Sequence, residues 1–410
     1  MSGTPGRTED AVATPNELLA DIADVGLVPG RGGYHRHVFD RAETELREWF
    51  VGQAGARGLD VRTDGNGNIW AWWPEPGDDA VVTGSHLDSV PGGGAYDGPL
   101  GVASALSAVD MLRAEGFRPG RPLAVVVFAE EEGGRFGVPC LGSRLACGSV
   151  DPQRALGLRD ETGTTLAEAM RAAGADPELA GPDRVNLPRV GRFVELHVEQ
   201  GRGLVEHGSA VGVASTILGH GRWRFGFTGQ GNHAGATPMD DRRDPMIPAA
   251  RLVTEARAVA RRFPDARATV GRLRPSPGGT NVIAGSVDVW LDARAHEDAD
   301  TRALVEELSA RAREVAAEEG CTVRVTEESY SDTVRFDPEV RDELATVLDA
   351  PTLPTGAGHD AGTLAAHVPT GMLFVRNPTG VSHAPQEHAE AADCTAGAEA
   401  LARVLRRWSR

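Results

Sequence analysis

The chain has 410 residues, of which 40% are hydrophobic and 25% charged, with a formal net charge of −17. That length carries two domains and a large core, and that acidity argues against a nucleic-acid binder and against docking on an anionic membrane, while leaving room for local Arg residues to bind an anionic substrate. The first 30 residues mix Asp and Glu with Pro and Gly and hold no apolar signal segment, and residues 1–14 read as disordered. No run approaches the ~18 apolar residues of a membrane helix. A disordered start and a cytoplasmic protein are therefore expected. Cys140, Cys147, Cys321 and Cys394 lack zinc-type CxxC spacing and read as reduced thiols.

In chain order, residues 41–56 have the spacing of an amphipathic helix, 58–63 of a strand, 65–68 (Gly-Asn-Gly-Asn) of a turn, and 69–73 of an aromatic strand. Residues 81–83 read as a buried strand delivering His86, and 101–114 as a helix. The continuous apolar run 123–128 predicts a central strand covered on both faces, and it delivers Glu130, Glu131 and Glu132. Residues 193–198 form another strand, delivering His197. Strands alternating with helices predict an α/β fold with a mainly parallel sheet, whose sites lie at strand C-terminal ends.

The rhythm changes near residue 210. A strand at 223–228, a helix at 245–263, strands at 269–273 and 286–293, a helix at 301–319 and a strand at 322–327 follow one another. That β-α-β-β-α-β order is ferredoxin-like, and the Pro/Gly-rich stretch 274–279 reads as a loop. A helix at 337–349, a strand at 372–376 and a helix from about 393 return to the first pattern. The expected organisation is a discontinuous catalytic domain, 15–210 and 328–410, with a smaller α+β domain, 211–327, inserted.

Several polar residues sit where packing alone does not explain them. Asp88, two residues after His86, can hydrogen-bond the second ring nitrogen and fix the tautomer; the plainer alternative is a loop histidine beside a capping aspartate. Asp97 lies in the Gly-rich segment Gly92 to Gly98, where a carboxylate can bridge two ions or simply make an Asp-Gly turn. Glu130, Glu131 and Glu132 follow the most apolar strand, and like charges there need a cation or solvent to compensate them. Neighbouring side chains on extended backbone point apart, so one glutamate can bind metal while the next faces a water. His197 alone reads as a core histidine, and His383 alone as a loop histidine.

The order of these pieces closely resembles the M20 family of metallopeptidases and amidohydrolases. Glu131–Phe136 (EEGGRF), Glu195–Gly201 (ELHVEQG), His233–Met239 (HAGATPM) and Gly356–Ala361 (GAGHDA) resemble its hydantoinase/carbamoylase branch, over roughly residues 16–408. The resemblance implies two divalent ions per subunit, Zn2+, Mn2+ or Co2+, since oxygen- and imidazole-rich sites suit all three. His86, Asp97 and His197 would hold one; Asp97, Glu132 and His383 the other. Glu131 would be the general base, His233 the oxyanion stabiliser, Gln200 the ureido contact, and Asn281 and Arg294 the carboxylate contacts. It further implies a homodimer paired through the inserted lid domain, with His233 reaching the partner's site. The implied reaction is cleavage of the ureido or carbamoyl C–N bond of a small carboxylate. Residues 129–133 and 232–235 lean towards allantoate over an N-carbamoyl-L-amino acid. A dipeptidase or aminoacylase of the wider family is the alternative, and a non-catalytic metal-binding protein a third. Phe374–Gly380 departs from the usual pattern, and its Arg376 adds a cation that can shift substrate preference.

Overall fold

The computed structural model describes residues 12–410. Its first helix, Pro15–Asp21, is capped by a reciprocal pair: the Thr14 hydroxyl accepts the Glu17 N–H, and Glu17 accepts the Thr14 N–H. Ala13 is buried in the core. The expected disorder up to residue 14 therefore fails at residues 13 and 14, and residues 1–11 of that stretch lie outside the described residues. The missed signal was the capping box, hidden in a Pro-rich start.

The chain packs as two units. One runs to Thr216 and resumes at Arg335; the other is Ile217–Val334. Residues 211–216 and 328–334 thus fall across the boundaries expected from sequence. The cause is local, because the strand Val211–Ile217 joins the sheet of the first unit, and the strand Thr322–Ser331 runs on past 327.

The first unit is built on a nine-stranded sheet. Its four central strands, Leu123–Phe128, Ala80–His86, Val190–Val198 and Thr370–Val375, are mutually parallel in that spatial order. Antiparallel strands flank them, among them Ile69–Trp73 on one side and Val211–Ile217 on the other. Leu123–Phe128 is buried along its whole length, as a strand covered on both faces must be. The helices Pro99–Ala114 and Ala391–Trp408 pack together into the core. Each Leu, Val or Phe buried there contributes about 1.5–3 kcal/mol.

Register positions the site. Gly84 pairs with Glu195, and His86 pairs with Phe128. Two residues beyond Gly84 and Glu195 stand His86 and His197, whose rings come to 5.7 Å between centroids. The glutamates leave the neighbouring strand just past Phe128, at the same end of the sheet.

The second unit is an antiparallel four-stranded sheet in the order Thr322–Ser331, His220–Thr228, Ser286–Arg294, Arg267–Ser276. With the helices Met246–Ala260 and Asp298–Glu318 between strands, this is the ferredoxin-like order. Ser286–Arg294 alternates strictly between buried and half-buried residues, so one face meets the helices. The segment expected to be a loop, 274–279, is strand as far as Ser276. Among the described residues, no helix is long and apolar enough to cross a membrane.

Candidate metal centre

His86 and His197 are fully buried at adjacent strand ends. Each ring is oriented by a backbone carbonyl: His86 Nδ1 donates to Asp88 O at 3.0 Å, and His197 Nδ1 donates to Val198 O at 2.9 Å. A carbonyl only accepts, so Nδ1 carries the proton and Nε2 of a neutral ring is a bare lone pair. Those Nε2 atoms lie 3.5 Å and 3.2 Å from Asp97 Oδ1, yet neither has a hydrogen-bond partner. Lone pairs converging on a carboxylate oxygen repel unless positive charge sits among them. A divalent cation fits this donor set.

Asp97 reaches the rings from the loop before the helix Pro99–Ala114. Gly98 is required there: its φ is +84°, and a Cβ would meet the His86 ring at 2.5–2.7 Å. Asp97 Oδ2 lies 3.4 Å from His383 Nε2, which in turn is 3.3 Å from Glu132 Oε2. Two ligand-type clusters, His86–Asp97–His197 and Asp97–Glu132–His383, therefore share Asp97. The first is buried, whereas His383 is half exposed.

Without a cation, protons take its place on the rings. The surrounding acids raise His86 and His197 against the effect of burial, and the charged rings hold the buried Asp97 carboxyl well below the usual range. Burial, with Asp360, Glu132 and Glu195 nearby, pushes Glu131 well above it, against the pull of His86. Glu132, helped by Asp97, lifts His383 to about 9. So many acids need compensation, by protons on the histidines or by metal.

Glu131 Oε2 stands 3.7 Å from His86 Nε2, beside the first cluster. Its Oε1 accepts the Cys140 thiol at 3.4 Å. Asp88 departs from expectation. Its carboxylate is 3.6 Å from the His86 ring and accepts the backbone N–H groups of Glu131 and Glu132, each at 3.1 Å. The ring nitrogen is already served by the Asp88 backbone carbonyl, so the side chain is free to pin the glutamate turn. Gln200 Nε2 donates to Asp97 Oδ2 at 2.7 Å, leaving its Oε1 buried and without a partner. Arg376 forks onto Asp393 at 2.8 and 2.9 Å, so its charge is engaged there rather than offered to a ligand.

The remaining expected residues lie in the second unit. His233 pairs with Val282 in a two-stranded ribbon, and the Asn281 carbonyl accepts the Ala234 N–H at 3.1 Å, so His233 and Asn281 are neighbours. Arg294 is not with them. It ends the strand Ser286–Arg294, opposite His220 and Arg267, and pairs with Asp292. That strand starts just after the Asn281 ribbon, and its eight steps span ~27 Å at about 3.4 Å each.

Other polar residues stand at the centre without an assigned role, Glu195 among them although it opens the segment Glu195–Gly201. Glu195 is buried, with Oε1 on Ser85 and Oε2 on the Ala361 N–H. Asp360 accepts the Ser143 hydroxyl, and the His359 ring lies tilted against that of His197, 4.5 Å between centroids, with an unpartnered Nε2. Glu387 accepts the Tyr96 and Asp97 N–H groups. His359 and Asp360 lie in the quoted segment Gly356–Ala361, which was the one clue to them.

Residues 82–407 match the model of peptidase family M20/M25/M40. The chain is 38% identical over 395 residues to the N-carbamoyl-L-amino acid amidohydrolase of Geobacillus stearothermophilus, covering 94% of this chain and 95% of that one. It is 32% identical over 399 residues to the allantoate amidohydrolase of Escherichia coli K12, covering 95% and 96%. A solved amidase of the hydantoinase/carbamoylase family from Burkholderia vietnamiensis superposes with a TM-score of 0.85 at 31% identity, covering 98% of both chains.

Proposed function

The chain belongs to peptidase family M20/M25/M40, and from that premise we propose that it is a metal-dependent amidohydrolase cleaving the terminal ureido C–N bond of a small carboxylate. One observation carries the metal dependence: two ligand-type clusters share Asp97 while the His86 and His197 Nε2 atoms lack hydrogen-bond partners. The names of the relatives support the bond and the substrate class, N-carbamoyl-L-amino acid or allantoate.

Two divalent cations, Zn2+, Mn2+ or Co2+, would supply a Lewis acid that polarises the carbonyl and lowers the pKa of water. His86, Asp97 and His197 would hold one, and Asp97, Glu132 and His383 the other. Glu131 takes the proton of the attacking water and passes it to the leaving nitrogen. Loss of ammonia leaves a carbamate, which releases carbon dioxide. The buried Oε1 of Gln200 suits the NH2 of a ureido group. Arg294 suits a carboxylate, because its guanidinium can fork onto two oxygens. His233 and Asn281 would meet the carbonyl and the polar end of the substrate.

Asn281 lies before the start of the strand Ser286–Arg294 and Arg294 at its far end, ~27 Å along it by strand rise, too far apart to hold one small molecule within a single second unit. We therefore assign them to one substrate only through a homodimer, each coming from a different chain. The unpaired thiols and acidic net charge suit a cytoplasmic home.

The deciding experiment is turnover of allantoate, N-carbamoyl-L-amino acids and dipeptides by metal-stripped protein, with Mn2+, Zn2+ or nothing added. Ammonia release from a ureido acid only with metal is the expected result. Dipeptide hydrolysis without ureido turnover would move the chain to the peptidase reading; no turnover at all would leave only metal binding.

A further inference from the structure

Glu387 has no part in the roles assigned above, yet it is almost fully buried beside the Asp97 loop. Its Oε1 accepts the backbone N–H groups of Tyr96 and Asp97, both at 3.0 Å. Its Oε2 lies 3.3 Å from the Ser382 hydroxyl, which is also 3.3 Å from Asp97 Oδ2. Ser382 immediately precedes His383, and the Glu387 N–H closes a turn onto the Ala384 carbonyl. A Cβ on Gly94 would come within 2.3–2.5 Å of the Glu387 side chain, so glycine there leaves the carboxylate its seat.

One carboxylate therefore ties together two segments 290 residues apart in sequence, the loop carrying Asp97 and the arm carrying His383. The arm needs such a tie. His383 is half exposed, with a φ of +55°, so burial does little to hold it. The His86–Asp97–His197 cluster needs it less, because both rings are buried on strands and oriented by their own backbone carbonyls.

We infer that Glu387, acting with Ser382, is a positioning residue that sets the spacing of Asp97 from His383 and so governs binding of the ion shared by Asp97, Glu132 and His383. The ion at His86, Asp97 and His197 depends on it little. This rests on the two-ion reading above.

The test is a Mn2+ titration of the metal-stripped full-length protein, read as stepwise affinities and as equivalents retained after dialysis. Wild type is compared with Glu387→Gln, Glu387→Leu and Ser382→Ala, each confirmed folded by circular dichroism. Glutamine keeps an oxygen for both N–H groups and an amide for Ser382, so it should bind two ions within a few-fold of wild type. Leucine removes the acceptor, and only one of the two steps should weaken, by about 10–100-fold, the usual effect of losing a partner behind a ligand. Ser382→Ala should weaken the same step by a smaller factor, and it carries the test alone if Glu387→Leu does not fold. Two steps equal to wild type in Glu387→Leu and Ser382→Ala would overturn the inference. So would equal weakening of both steps, which marks a merely structural residue. Fewer than two equivalents in wild type would instead sink the two-ion reading itself.

Discussion

Asp97 Oδ1 lies 3.2 Å from His197 Nε2, with no hydrogen bond completed between them. The same carboxylate turns Oδ2 towards His383 at 3.4 Å. A side chain that offers one oxygen to each of two ligand clusters can offset the repulsion between two divalent cations. Asp97→Ala is therefore expected to lower the metal content from two equivalents to one or none. Metal analysis after dialysis measures this, and two tightly held equivalents in the variant would refute the bridge.

Glu131 is placed differently from the ligands. It is buried beside His86, and its backbone is pinned by Asp88 rather than by its own side chain. Glu131→Gln is close to isosteric and leaves that pinning intact, but an amide cannot accept the proton of water. Both metals should stay while kcat falls by several orders of magnitude. Kinetics and metal content on one sample decide; near-normal turnover would remove Glu131 from the base role.

Much of this was legible in the sequence, for physical reasons. The strand Leu123–Phe128 announced itself because burial on both faces demands an unbroken apolar run, and the helix Arg41–Ala56 because one face repeats. His86, Asp97, Glu132, His197 and His383 were expected together through the resemblance to the M20 family; taken alone, His197 reads as a core histidine and His383 as a loop histidine. The strand Val211–Ile217 was missed: its Gly, Ala, Ser and Thr give neither alternation nor a strongly apolar run. Glu387 was invisible because its partners are backbone N–H groups, which leave no mark in a sequence. Of the two readings open for Asp88, the carboxylate takes one close to the capping role, on the Glu131 and Glu132 N–H groups, because backbone partners leave no mark in a sequence.

Arg294 gives a third prediction. A guanidinium grips a carboxylate through two parallel N–H bonds, and an ammonium cannot reproduce that fork. Arg294→Lys should raise KM strongly with a smaller change in kcat. The matching control is the carboxamide analogue of the same substrate. Equal turnover of acid and amide by wild type would give Arg294 another task, such as holding Asp292, with which it already pairs.

The last prediction concerns how many chains make one site. His233 and Asn281 are neighbours on one ribbon, whereas Arg294 closes the far end of the following strand, ~27 Å along it by strand rise. A ureido acid of a few atoms cannot span that gap, so these residues converge on one molecule only if two copies contribute. Mixing inactive His233→Ala with inactive Glu131→Gln under conditions of proven subunit exchange separates the cases. If His233 serves the other chain's site, each mixed dimer holds one site with both lesions and one with neither. Equal mixing makes half the dimers mixed, so roughly a quarter of wild-type activity should return for a two-fold assembly. If His233 serves its own chain, every site keeps one lesion and the mixture stays inactive. Arg294→Ala mixed with Glu131→Gln is the control, assayed at a substrate concentration where neither parent turns over. With both residues serving the same chain, that pair should show no recovery, and recovery in both mixtures would place Arg294 alongside His233 instead of opposite it.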